Sequence, residues 1–254
     1  MDANGKCGLV TGASKGVGRG IAIGLAQAGW SVTINYNRDE DGAEETARVI
    51  RDAGGTCHVV QGDVGDSRQV NRMINTHMEQ AGRIDLMVNN AGVQTWAPLL
   101  ELEEQDWDRT IRTNLKGTFL CTQQAARIMK DAGGGSIINI GSGANKAPFP
   151  NLADYGASKG GIERLTVVAA VELGPLGIRV NCVAPGAIEI ERTKLEDPDY
   201  AGLWGNRTPL RRIGNVQDVA NAVVYMAGDE AGFVTGQTLY IDGGMMSQIP
   251  WPYE

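Results

Sequence analysis

Histidine is nearly missing from this chain. His58 and His77 are the only two in 254 residues and stand in unrelated segments, so a catalytic zinc centre lacks ligands and no metal is expected. Cys7, Cys57, Cys121 and Cys182 are widely spaced, with no C-x-x-C pair, which argues against a disulfide framework or a metal knuckle. Three fall in strand-like runs and Cys121 in a helical one, the pattern of small buried hydrophobes in a reduced, cytoplasmic compartment. Basic charge is also short: 23 Lys and Arg stand against 30 Asp and Glu, a net charge of −7. A nucleic-acid partner needs a clustered basic face and is not expected. The apolar runs are strand-sized and none approaches the roughly 20 residues that span a bilayer. The start, MDANGKCGLV, has no basic stretch leading into an apolar core, so neither a secretion signal nor a membrane partner is expected.

What the chain does have is rhythm. Short apolar runs at 6–10, 31–36, 56–61, 84–89, 136–140, 178–183 and 237–241 alternate with helical patterns at 17–28, 39–53, 67–80, 103–129, 154–173 and 216–227. In the first helix Val17, Ile21, Leu25 and Ala28 recur at three- or four-residue spacing, and Gly29 supplies a stop. Seven strands alternating with six main helices predict an α/β fold, a single-domain Rossmann-type doubly wound parallel seven-stranded sheet with helices on both faces. No repeat or Pro/Gly/Ser linker divides the chain, so 1–254 reads as one dinucleotide-binding and catalytic domain. Residues 186–214 break the rhythm, polar and without a strong period, and suit a substrate lid. Ligands of such sheets bind beyond the carboxyl ends of the strands, which gives motifs at strand ends the most weight.

Thr11-Gly12-Ala13-Ser14-Lys15-Gly16-Val17-Gly18 joins the first strand to the first helix. Glycines permit the turn and let a pyrophosphate approach the backbone, while the helix N-terminus favours an anion. A glycine-rich turn alone is weak, since a strand-to-helix connection uses glycine for steric reasons; its place after the first strand of an alternating chain strengthens it. The spacing T-G-x-x-x-G-x-G resembles the short-chain dehydrogenase/reductase family. The resemblance runs over nearly the whole chain: Asn89-Asn90-Ala91-Gly92 after the fourth strand, Asn114 in the long helix, Ser142 after the fifth strand, Tyr155-x-x-x-Lys159, and Pro185-Gly186 after the sixth.

A secondary alcohol and a ketone interconvert by moving a hydride and a proton, so a protein that relies on a cofactor for the hydride must supply an acid/base. Free tyrosine, with a pKa of about 10, is a poor base at neutral pH. Lys159 follows Tyr155 by four residues on a predicted helix, so both project from one face, and a nearby ammonium favours phenolate. The resemblance implies Tyr155 as acid/base, Lys159 as its activator and a ribose ligand, Ser142 as the group that orients the carbonyl, and Asn114 as holder of a relay water. The bland alternative for a lone Tyr–Lys pair is a surface helix pair; the full set in order argues against it.

The second strand ends Asn35-Tyr36-Asn37-Arg38, and the position where an NAD enzyme usually places an acid holds Tyr36. Asn37, Arg38 and Lys15 therefore favour NADP, with NAD as the alternative, although both cations also read as solvated surface charges. The resemblance further implies Asp63 and Val64 at the adenine, Asn90, Ala91 and Gly92 along its ribose, and Pro185, Gly186 and Ile188 beside the nicotinamide. Gln94, Trp96, Gly143, Ala144, Asn145, Lys146, Glu189, Glu191, Arg192 and Trp204 make a polar, aromatic-flanked wall for a sugar, or merely a solvated loop. The leading expectation is an aldose 1-dehydrogenase giving a lactone, closest in character to the glucose 1-dehydrogenase branch; Lys146 and Arg192 would also admit an anionic sugar. The alternatives are a 3-oxoacyl carrier-protein reductase-like ketoreductase, with Arg127, Lys130 and Arg164 as carrier contacts, and a dinucleotide-binding sensor without turnover. The family also implies a homotetramer or homodimer, and surplus apolar residues within 119–128 and 162–171 are compatible with such contacts. The tail 248–254 reads either as a partner-contacting arm or as an inert terminus.

Overall fold

The computed structural model describes residues 5–248, apart from the side chains of Arg192, Lys194 and Glu196. The strands are β1 (Cys7–Val10), β2 (Ser31–Tyr36), β3 (Cys57–Gln61), β4 (Leu86–Asn89), β5 (Gly135–Ile140), β6 (Ile178–Pro185), the two-residue β7 (Ile188–Glu189) and β8 (Gly214–Asn215), and β9 (Thr238–Ile241). The helices are α1 (Gly16–Gln27), α2 (Glu40–Asp52), α3 (Ser67–Ala81), α4 (Glu104–Thr110), α5 (Gly117–Met129), α6 (Ala153–Leu173), α7 (Glu191–Glu196), α8 (Tyr200–Arg207) and α9 (Val216–Ala227). Seven strands form one sheet in the order β3-β2-β1-β4-β5-β6-β9, parallel at every pairing. This is the doubly wound sheet that the alternation predicts. The chain runs outward from β1 to β3, then returns to place β4 on the other side of β1. That reversal opens a crevice at the carboxyl ends of β1 and β4.

Both faces of the sheet are covered, so β1 and β4 are buried at every residue. On one face Ile21 and Leu25 of α1, Ala47 and Ile50 of α2, and Val219 and Val223 of α9 pack over Val10, Ile34 and Val88. On the other, Met73 and Ile74 of α3, Cys121 and Met129 of α5, and Ala169 of α6 pack over Leu9, Met87 and Ile137. All four cysteines are buried thiols. Small residues decide how close α1 and α9 come: a Cβ on Gly24 would lie 2.8 Å from that of Ala220. Asp66 starts α3 by accepting the Arg68 and Gln69 amides at 2.9 and 3.0 Å, and Gly82 ends it at φ +75°. Among the described residues no helix is long and apolar enough to cross a membrane.

Two stretches depart from the periodic reading. The predicted helix over 103–129 is interrupted between α4 and α5 by a π-helical turn, Ile111–Lys116. Apolar spacing continues through it, so periodicity does not reveal it. Residues 186–214 hold β7, the helices α7 and α8, of six and eight residues, and the first residue of β8, which pairs parallel with β7. Elements this short fall below the window over which a period can be read.

Candidate active site

The turn after β1 is held from beneath by side chains. Thr11 Oγ1 accepts the Asn90 and Ala91 amides at 2.9 and 3.1 Å, tying the end of β1 to the end of β4. Asn90 Nδ2 returns the contact, donating to the Thr11 and Gly12 carbonyls at 2.9 and 3.0 Å. Buried Asn35 accepts the Gly12 amide at 3.2 Å and donates to the Val60 and Gly62 carbonyls at 3.3 and 3.1 Å. A side chain at Gly12 would meet Ala91 Cα at 2.9 Å, and one at Gly18 would strike the Gly12 carbonyl. Gly16 sits at φ +56°, where a side chain is strained. The result is a backbone-walled hollow at the N-terminus of α1, where the N-cap residue, Lys15, places no side-chain cap on the helix amides. Such a hollow fits the pyrophosphate of a dinucleotide.

The four candidate catalytic residues come from three elements beside this hollow. Ser142 follows β5; its hydroxyl oxygen accepts the Ala144 amide at 3.2 Å, while its own amide donates to Asn145 Oδ1 at 3.2 Å. The Ser142 proton therefore remains to be donated outward. Tyr155 and Lys159 lie one turn apart on α6, with Lys159 Nζ 5.5 Å from the Tyr155 ring centre. Lys159 is buried and donates to the Ile140 carbonyl at the end of β5 at 2.6 Å. Asn114, fully buried in the π turn, accepts the Val93 amide and donates to the Val93 carbonyl, both at 2.8 Å, and donates to Ser158 Oγ at 3.0 Å. Ser158 in turn donates to the Tyr155 carbonyl at 2.8 Å, so Asn114 and Tyr155 share one hydrogen-bonded frame.

Several positioning residues escape the sequence reading. Asp154 is fully buried; it accepts the Tyr155 amide and the Thr110 hydroxyl, both at 2.6 Å, and ties the first turn of α6 to the end of α4. Its place directly before Tyr155 is the only sequence signal it offers. Asn35 offers none, because an asparagine inside a buried strand looks like any other polar interruption.

The remaining expected residues distribute as follows. Asn37 and Arg38 are exposed beyond buried Tyr36 at the end of β2. Lys15 pairs with Asp39 at 3.6 Å rather than standing alone. Burial opposes ionisation of Asp39, but the Ser14 hydroxyl, the Gly42 amide and Lys15 together hold its carboxyl below the usual range. Asp63 accepts the Gly65 amide at 2.8 Å and Arg112 at 2.6 Å, and Val64 is buried against Gly117. Ala91 and Gly92 line the β4 end, and a side chain on Gly92 would press on Asn114 Oδ1 at 3.3 Å. Buried Pro185 closes β6, the Gly186 amide donates to the Ile241 carbonyl at 3.0 Å, and Ile188 pairs with Gly214. Ser14 and Val17 flank the glycine turn. Ala144, Asn145, Lys146, Phe149, Leu152 and Gly156 line an open cleft of about 380 Å³. Lys146 Nζ lies 5.7 Å from the Tyr240 ring centre. Phe149 meets Trp204 of α8 with ring centres 6.1 Å apart, and Trp204 meets Tyr200 at the same separation. Glu189 closes β7, and Gln94, Trp96 and Glu189 each interact with other groups. The side chain of Arg192 and the tail 249–254 lie outside the described residues.

Residues 12–246 match the family model described as Enoyl-(Acyl carrier protein) reductase. With the sheet order, the glycine turn and the Tyr-x-x-x-Lys helix, this places the chain in the short-chain dehydrogenase/reductase family of oxidoreductase enzymes, which use a nicotinamide cofactor. The chain is 40% identical over 240 residues to a 3-oxoacyl-[acyl-carrier-protein] reductase FabG of Staphylococcus epidermidis, covering 94% of this chain and 98% of that one. It is 39% identical over 247 residues to 3beta-hydroxysteroid dehydrogenase 1 of Eggerthella lenta, covering 96% and 95%. The crystal structure of a gluconate 5-dehydrogenase from Burkholderia cenocepacia J2315 in complex with NADP and tartrate superposes with a TM-score of 0.91 at 38% identity, covering 98% of both chains.

Proposed function

We propose that this enzyme uses NADP to interconvert an alcohol and a carbonyl in a sugar or sugar acid, with Tyr155 as the acid/base. The observation that carries the reading is the placement of Tyr155, Lys159, Ser142 and Asn114 at the strand ends beside a cleft lined by Asn145 and Lys146. Polar groups suit hydroxyls, and Phe149 and Trp204 offer flat faces to C–H groups. Oxidation of an aldose at its anomeric carbon, giving a lactone, asks for the same protein atoms as oxidation of a secondary alcohol in a sugar acid. The likeness to a gluconate 5-dehydrogenase bound to NADP and tartrate supports both the substrate class and the dinucleotide.

The hollow at Gly12, Gly16 and Gly18 would hold the pyrophosphate, Asp63, Val64 and the 90–92 segment the adenosine, Arg38 and Lys15 the 2′-phosphate, and Lys159 and the 185–188 segment the nicotinamide riboside. The bound nicotinamide supplies the hydride acceptor or donor. Ser142 donates a hydrogen bond to the substrate oxygen and fixes it against the Tyr155 phenol. In oxidation the Tyr155 phenolate takes the alcohol proton; in reduction the phenol returns it. Lys159 has three N–H groups and uses one on Ile140, leaving two to steady the phenolate and a ribose hydroxyl. Asn114, fixed on both sides by Val93, holds the relay water that carries the proton onward.

Residues 186–214 act as the lid over this site, and the whole chain works as one catalytic unit in the cytoplasm. Exposed Phe119 on α5 and Val168 and Val171 on α6 support assembly into a homodimer or homotetramer. A second reading, a 3-oxoacyl thioester reductase, is supported by the 40% identity to FabG and by exposed Arg127, Lys130 and Arg164. Nicotinamide absorbance followed with NADP and NAD against aldoses, aldonic acids and an acetoacetyl thioester tests the choice. Turnover of a sugar or sugar acid above that of the thioester is expected. Faster reduction of the thioester would move the function to the ketoreductase, and silence throughout would favour a sensor.

A further inference from the structure

Glu191 opens α7 and reaches across to α1. Its Oε2 accepts the Gly16 amide at 3.2 Å, and its Oε1 lies 3.5 Å from Arg19 Nη1. Gly16 is the first residue of α1, so the carboxylate sits where the helix offers free N–H groups to an anion. Ile190 comes with it: its side chain lies 3.7 Å from the point a Cβ on Gly16 would occupy. The two residues thus place a negative charge and a methyl group at the mouth of the glycine turn.

The receiving side is held by several hydrogen bonds, and the arriving side is exposed. Arg19 is fixed by donating from Nε to Thr46 Oγ1 at 3.1 Å and from Nη2 to the Ser14 and Gly42 carbonyls at 2.5 and 3.3 Å. The Glu191 side chain is 57% exposed and belongs to a six-residue helix whose first turn is held by Thr193, which accepts the Ile190 amide at 3.0 Å. A side chain tethered to so short an element can be displaced without disturbing the sheet.

We propose that Glu191 sets the affinity of the dinucleotide site: its carboxylate takes the Gly16 amide that an entering pyrophosphate requires, so the two anions compete for one set of donors. Binding of the dinucleotide displaces Glu191 and releases the first turn of α7, which links the cofactor site to the 186–214 segment. The inference rests on dinucleotide binding by the family, and not on the sugar reading, so either can fail alone.

Titration calorimetry of the full chain separates the possibilities with three probes. NADP and ADP-ribose carry the pyrophosphate; adenosine 2′-phosphate does not. For Glu191→Gln, dissociation constants for NADP and ADP-ribose are expected to fall by roughly tenfold, with adenosine 2′-phosphate unchanged. Glu191→Ala, which also removes the residual amide contact, is expected to shift the same two probes in the same direction. Unchanged or weaker NADP binding in both variants overturns the proposal. Equal tightening of all three probes also overturns it, by tracing the effect to net charge instead of the Gly16 amide.

Discussion

Lys159 Nζ stands 5.5 Å from the centre of the Tyr155 ring while donating to the Ile140 carbonyl at 2.6 Å. One buried ammonium thereby joins the helix that carries the proposed base to the strand that ends just before Ser142. Lys159→Met removes both the charge and the tether. Steady-state kinetics should show kcat reduced by about a hundredfold or more, with dinucleotide affinity also reduced. Unaltered kcat would place the activation of Tyr155 elsewhere.

Asn35 is the buried hub under the glycine turn: its Oδ1 accepts the Gly12 amide, and the two N–H groups of its Nδ2 face the Tyr36, Val60 and Gly62 carbonyls at 3.1 to 3.3 Å. Asn35→Ala removes this partner from the Gly12 amide and the Gly62 carbonyl in the interior, while the Tyr36 carbonyl keeps the Gly62 amide at 2.8 Å. The expected cost is about 2 to 3 kcal/mol of stability, read as a lower melting temperature and denaturation midpoint. Dinucleotide binding should weaken with it, because Gly12 shapes the hollow. A variant as stable as the parent would contradict the role given to this side chain.

His77 is buried between Thr33 and the Arg83 carbonyl, at 2.8 and 2.9 Å. The carbonyl can only accept, so Nε2 carries the proton and Nδ1 accepts from the Thr33 hydroxyl. Burial, the largest influence, pulls its pKa from 6.5 to about 4. Between those values the unfolded chain binds the extra proton and the folded one does not. Stability from this group is therefore whole above pH 6.5 and declines as the pH falls from 6.5 towards 4, by about 3 kcal/mol in all. Melting temperatures across that window should drop less steeply in His77→Gln. Equal slopes in the two proteins would contradict the assignment.

Arg38 is exposed just past the end of β2, beside the Lys15–Asp39 pair. If it meets the 2′-phosphate, Arg38→Ala should lower kcat/KM for NADP by about tenfold while leaving NAD nearly unaffected. A ratio between the two dinucleotides that does not move would remove Arg38 from the site.

The fold was legible because a sheet covered on both faces forces apolar strand runs, and helices between them must carry a 3.6-residue stripe; β2 and α9 fall on their predicted bounds. The catalytic candidates were legible because motif spacing survives in sequence order. What stayed hidden depends on contacts between distant segments. Asp154 meets Thr110 across 44 positions and Glu191 meets Gly16 across 175, and no local pattern records either. The π turn around Asn114 keeps the apolar spacing of a helix, and α7 is too short to show a period. Asp39, next to Arg38 in sequence, already complicates the local charge, but only the fold shows that it is Lys15 it pairs with.

The most direct test of the account compares Tyr155→Phe with the parent enzyme, measuring dinucleotide affinity by calorimetry and turnover of the best substrate by nicotinamide absorbance. The phenol oxygen is the only atom removed, so binding should persist while turnover falls by roughly a thousandfold or more. Turnover retained near the parental rate would contradict the assignment of Tyr155 as the acid/base.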